Sequence, residues 1–106
     1  MIPEIDVEEL ATRLSNGADL IDVRETNEYE EAHVPGATLV PLSELADRVD
    51  DVPSDRPVLL ICKSGGRSMR AAELLAARGR DVTNVAGGTM AWMAAGRDIA
   101  TGMERG

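Results

Sequence analysis

The stretch Val58–Arg78, VLLICKSGGRSMRAAELLAAR, restricts the fold more than any other part of the sequence. Val58, Leu59, Leu60 and Ile61 make an apolar run too short for a helix, which reads as a buried strand. The single cysteine of the chain, Cys62, closes that run; Lys63, Ser64, Gly65, Gly66 and Arg67 follow, and a helical pattern opens at Ser68. A strand that runs through a glycine-bearing loop into a helix makes an anion site with a thiol at its base. Gly65 and Gly66 permit positive φ, so successive backbone N–H groups can turn inward as a nest. The helix start adds unpaired N–H groups and the positive end of its dipole. A Cys62 thiolate would be stabilised there, with Lys63 and Arg67 as nearby cations. The bland alternative for a lone cysteine after an apolar strand is a buried structural thiol, and the KSGGRS that follows argues against it.

The other segments place this unit in a repeating alternation. Asp6 and Glu9 form a capping-box-like pair before Val7, Leu10, Ala11 and Leu14 at helical spacing, and Gly17 stops that helix. Ala18–Val23 reads as a buried strand ending at Arg24. Thr26–Ala32 is a short acidic helical turn whose Glu25, Glu28, Glu30 and Glu31 are expected on a solvated face. His33-Val34-Pro35-Gly36 is a turn, and Ala37–Val40 another short strand. Ser43 is expected to cap a helix with Leu42, Leu45, Ala46 and Val49 as its stripe. Asp50–Pro57 is a polar lead-in. Gly79 ends the helix after the cysteine loop, Val82–Val85 is a last strand, and Gly87-Gly88 turns into a helix carrying Met90, Trp92 and Met93. Short strands alternating with helices imply a parallel sheet covered on both faces, with its site at the carboxyl ends of the strands. Cys62 and Arg24 both fall there. One domain over residues 1–96 is expected, with 97–106 as a loose tail and Trp92 and the methionines in the core.

Composition excludes several classes of function. A chain of 106 residues suits one domain that needs no disulfide or metal. The net charge of −8 argues against nucleic acid and anionic membrane as general partners. Five cations against one acid between Val58 and Arg80 leave the rest of the chain at −12, so a basic patch sits on an acidic body and suits capture of a small anion. Arg70, Arg78 and Arg80 are expected as a solvated helix face. One cysteine favours a reducing, cytoplasmic setting, and MIPEIDVEEL has no pattern of a secretory signal. One cysteine and one histidine far apart make no metal site, and no cofactor is expected.

Three segments, LIDVRETNEYEEAHVPGA, VLLICKSGGRS and NVAGGTMAWMAAG, resemble in order and spacing the rhodanese homology domain, over about Ile5 to Gly96. The similarity is greatest to the single-domain rhodaneses, small sulfurtransferases. It implies a three-layer α/β fold with a five-stranded, mostly parallel sheet flanked by helices on both faces. It also implies that Cys62 carries a persulfide and that Lys63, Ser64, Gly65, Gly66 and Arg67 complete the loop around the bound sulfur or anion. A donor such as thiosulfate and an acceptor such as cyanide or a thiol, including a protein thiol, follow from the same resemblance. Asp22 and Arg24 match the DVR segment and are expected to support the loop; His33–Gly36 match the HxPG turn, where His33 is expected to bond locally. Gly87, Gly88 and Trp92 match the C-terminal GG…W segment. Ser68 is either a hydroxyl donor or an N-cap. Ala32 replaces a common glycine and Tyr29 a common Phe. Two other functions compete with this one. Cysteine phosphatases and arsenate reductases separate Cys and Arg by five residues, whereas four separate Cys62 and Arg67, so the shorter ring suits a smaller sulfur-centred group. A sulfur carrier or binding module for a protein partner is the other.

Overall fold

A computed structural model describes residues 1–106. Along the chain run β1 (Glu4–Ile5), α1 (Val7–Ser15), β2 (Asp19–Asp22), α2 (Thr26–Glu31), β3 (Thr38–Leu39), α3 (Leu42–Leu45), a 3₁₀ turn (Val49–Asp51), β4 (Val58–Ile61), α4 (Gly66–Ala77), β5 (Val82–Val85) and α5 (Gly88–Ala94). The strands form one five-stranded sheet in the order β1-β5-β4-β2-β3, and every pairing is parallel. The expected α/β architecture is therefore present, with the cysteine strand β4 at its centre.

Alternation along β4 divides the core. Val58, Leu60 and Cys62 join a cluster with Leu45, Ala71, Ala72 and Leu75, on the face covered by α3 and α4. Leu59 and Ile61 join Leu10, Tyr29 and Trp92, on the face covered by α1, α2 and α5. Both faces are thus filled, which explains why β4 reads as a continuous apolar run. Each of its four side chains is fully buried, worth about 1.5–3 kcal/mol apiece.

Several local expectations are corrected. The helix after the cysteine begins at Gly66, two residues before Ser68, with Gly65 at its N-cap. Ser43 caps nothing: α3 is a single turn entered from Pro41, and the Ser43 hydroxyl donates to Glu25. Val49 lies in the separate 3₁₀ turn. The strands expected over Ala18–Val23 and Ala37–Val40 shorten to Asp19–Asp22 and Thr38–Leu39, and β1 appears where no strand was expected. Met90, Met93 and Met103 are exposed, while Trp92 is core. Arg80 is no solvated residue: its guanidinium donates to the carbonyls of Val49 and Val52 and tethers the 3₁₀ turn.

Nor is the segment after α5 loose. Ala100 exchanges two backbone hydrogen bonds with His33, Gly102 N–H donates to Glu30 O at 2.7 Å, and Gly36 N–H donates to Arg105 O at 2.7 Å. Trp92 Nε1 donates to Asp98 O at 2.7 Å. These bonds strap residues 98–105 across the turn after α2.

Candidate functional site

Cys62 lies one residue beyond β4, where the chain leaves the sheet. Its Sγ accepts a hydrogen bond from Gly65 N–H at 3.1 Å and sits 3.2 Å from the Ser68 hydroxyl. Burial pushes the thiol up and is the largest single influence on it. The Ser68 hydroxyl and the N–H groups of Ser68, Gly65 and Ser64 act together in the other direction and prevail, so the Cys62 thiol falls below its ordinary value. Of the two glycines expected to turn the loop inward, only Gly65 has positive φ, at +116, and turns the chain into α4; Gly66 is the first residue of that helix and has no positive φ.

The loop is held from behind by α5. Thr89 N–H and the Thr89 hydroxyl both donate to Cys62 O, at 2.9 and 3.0 Å, and Met90 N–H donates to Lys63 O at 3.0 Å. The first turn of α5 therefore spends its unpaired donors on the carbonyls of the cysteine loop. With those carbonyls facing outward, the N–H groups face the sulfur. The approach is close: a Cβ on Gly88 would lie 2.6 Å from Cys62 O and from the Lys63 backbone, and Gly88 has φ +58.

The two loop cations differ. Lys63 is exposed, but Arg67 is taken: its guanidinium donates to both Glu28 carboxylate oxygens, at 2.7 and 2.8 Å. That hydrogen bond is the main reason Glu28 is lowered from 4.5 to about 2, against the opposing effect of burial. Glu28 also accepts from Glu25 N–H at 3.1 Å as half of a capping box, and Glu25 accepts from Ser43. Glu25 is exposed, as expected of a solvated face, but that expectation is corrected for Glu28, which is half-buried and ties α2 to the cysteine loop.

Asp22 and Arg24 form a buried ion pair at the end of β2, with Nη2–Oδ2 at 2.8 Å and side chains 0% and 7% exposed. Arg24 also donates to Ala32 O at 2.7 Å, which fixes the chain after α2. His33 is fully buried. It stacks on Tyr29 with ring centroids 3.6 Å apart, and its nitrogens lie 2.7 Å from Tyr29 O and 2.8 Å from Glu104 O. It bonds locally, as expected, and also holds the C-terminal strap.

A hollow of about 490 Å³ flanks the loop, lined by Lys63, Arg24, Met90, Met93 and Ile99 among others. Cys62 does not line it; the residue is buried, at 1% exposure. Three contributors were missed in the sequence: Glu28, Thr89 and Asn84, whose amide contacts Ser68 and Gly65. Asn84 left one signal, an amide in the short strand VTNV, where its alternation with Thr83 puts it on the opposite face. Thr89 follows a glycine pair at a helix start. Glu28 left none beyond the spacing of the capping box.

Comparison with known proteins agrees with this geometry. The sequence matches the Rhodanese-like domain family over residues 6–95. A protein of Allochromatium vinosum named "Sulfurtransferase" is 36% identical over 102 residues, covering 93% of this chain and 95% of its own. A Bacillus subtilis "Putative sulfur carrier protein YrkF" is 37% identical, over 86% of this chain and 51% of its own. The chain spans 60% of another B. subtilis relative, so some relatives are considerably longer. The crystal structure of a rhodanese-related protein from Thermoplasma volcanium superposes with a TM-score of 0.88 at 26% identity, over 96% of this chain and 99% of that one. Profile, full-length relative and fold agree: this chain belongs to the rhodanese-like domain family.

Proposed function

We propose that the chain is a sulfurtransferase that carries a sulfane sulfur on Cys62. In the first step the Cys62 thiolate attacks the outer sulfur of a donor such as thiosulfate. The new S–S bond forms as the donor's own S–S bond breaks, and sulfite leaves with the electron pair. The outer sulfur of the resulting persulfide then carries the negative charge. In the second step cyanide or a thiolate attacks that sulfur, and Cys62 leaves as a thiolate. Neither step requires a general base once the cysteine is ionised. One observation carries the reading: N–H and O–H donors converge on Cys62 Sγ and hold the thiol below its ordinary value. Lys63 is the cation available to an anionic donor, because Arg67 is already paired. The loop residues Ser64, Gly65 and Gly66 contribute peptide groups, and Ser68 a hydroxyl.

A reading as a sulfur carrier for a protein thiol has one observation in its favour. The hollow beside Lys63 is far larger than cyanide or thiosulfate and is rimmed by the exposed apolar side chains of Met90, Met93 and Ile99. A reducing, cytoplasmic setting suits a lone reactive thiol. The experiment is intact mass spectrometry after incubation with thiosulfate. One added sulfur atom that cyanide removes is the expected result, absent in Cys62→Ser; an unmodified wild-type chain refutes the proposal.

A further inference from the structure

We propose that Asn84 is a positioning residue for Cys62, acting through Ser68 by competing with the sulfur for the one Ser68 hydroxyl hydrogen. This deepens the reading of Cys62 as a sulfur-carrying nucleophile and rests on it.

Asn84 is 1% exposed on β5, the strand beside β4. Its amide has one orientation that satisfies its neighbours. One end faces two acceptors, a Glu4 carboxylate oxygen at 2.8 Å and the Gly65 carbonyl at 3.2 Å, so this end is the NH₂ group. The amide oxygen then faces Ser68 Oγ and can only accept. Ser68 is itself fully buried and has one hydrogen for three acceptors: Asn84 Oδ1, Cys62 Sγ at 3.2 Å and Gly65 O at 3.3 Å. The contact with Asn84 is the shortest of the three.

The hydrogen therefore has two positions, chosen by the state of the sulfur. While Cys62 is a thiol, the Ser68 hydroxyl points to Asn84 and its lone pair receives the S–H. When the thiol proton leaves to solvent, the anionic sulfur draws the Ser68 hydrogen to itself, because hydrogen bonds to charged acceptors are stronger. Asn84 Oδ1 is then a buried acceptor without a donor, which opposes ionisation. Once the persulfide forms, the inner sulfur is neutral and the hydrogen returns to Asn84. The charged groups around the thiol are Lys63 on the loop, Arg67 with Glu28, Asp22 with Arg24, and Glu4 behind Asn84. Replacing Asn84 frees the Glu4 carboxylate from its amide partner and leaves the other charged groups in place; the Ser68→Ala background isolates that contribution, because it does not involve the Ser68 hydrogen.

The test is the pH dependence of Cys62 alkylation by iodoacetamide in the full chain, with urea unfolding as a check on folding. Asn84→Leu should lower the alkylation midpoint by about one pH unit, a roughly tenfold gain in thiolate below it. Ser68→Ala should raise the midpoint. In the double variant the Asn84 effect should vanish, since it needs the Ser68 hydrogen. A merely structural Asn84 would loosen the loop and raise the midpoint. An unchanged or raised midpoint in Asn84→Leu, or an equal fall in the Ser68→Ala background, overturns the proposal. Should Asn84→Leu not fold, Asn84→Ala reads the same quantity. Alkylation needs no sulfur donor, so this result is independent of the persulfide measurement.

Discussion

Replacing Glu28 by glutamine removes one charge from the ion pair that joins α2 to the cysteine loop and keeps the shape of the side chain. The carboxyl is lowered from 4.5 to about 2, chiefly by its hydrogen bond from Arg67. At about 1.4 kcal/mol per pH unit this corresponds to roughly 3 kcal/mol. The Arg67 and Glu28 side chains remain 35% and 27% exposed, so solvent screening reduces the contribution to about 1–2 kcal/mol. Because the folded value lies below the ordinary one, this stability is complete above pH 4.5 and is lost as the pH falls toward about 2. Glutamine does not titrate, and every other carboxyl is common to both proteins. Thermal unfolding followed by circular dichroism should therefore place Glu28→Gln about 5–10 °C below the wild type near neutral pH. That gap should close between pH 4.5 and about 2. A gap of the same size at both ends of the pH range would show that the charge contributes nothing, and the account of the ion pair would fail.

Other substitutions probe the remaining parts of the site. Lys63→Ala should raise KM for thiosulfate roughly two- to fivefold, the size expected of one exposed charge, with little effect on a neutral persulfide donor; steady-state kinetics with equal losses for both would contradict the electrostatic role. Asp22→Ala should cost about 3–5 kcal/mol in urea unfolding, because it leaves the buried Arg24 guanidinium uncompensated; a loss below about 1 kcal/mol would show that Arg24 finds water instead. Gly88→Ala should depress sulfur transfer more than tenfold by displacing the Cys62–Lys63 peptide, which a new Cβ would approach to 2.6 Å. Gly36→Ala is its control: φ there is also positive, at +91, with no atom within 4 Å of the new Cβ, so activity should persist.

The central unit was legible because its signals are local. Four apolar residues, a thiol and a glycine-bearing loop occupy adjacent positions, and the structure keeps them adjacent as β4, the nest and α4. The sheet class followed from the alternation of strands and helices. What escaped depends on contacts between distant residues. Arg67 meets Glu28 from 39 positions away, so a loop cation that looked available is already neutralised. Ser43 has the chemistry of a cap but lies within reach of Glu25, which takes its hydroxyl. β1 is two residues long and exists through pairing with β5, a partner about 80 positions later in the chain. Residues 98–105 carry no periodicity because they are held through their own main-chain groups, by the backbone around the turn after α2 and by the Trp92 and His33 side chains. Asn84 was passed over as an ordinary strand residue, although a buried amide needs partners on every side.

The donors that surround Cys62 Sγ come mostly from peptide groups of Ser64, Gly65 and Ser68, and of all replacements only proline deletes a peptide N–H. The side chains of Lys63, Ser64, Met90 and Met93, by contrast, point into solvent. The floor of the site therefore depends on side chains only through the Ser68 hydroxyl and through their absence at Gly65 and Gly88, while its rim is free to vary. Libraries randomised at those four rim positions should yield altered preferences for sulfur donor or acceptor while the reactive thiol survives.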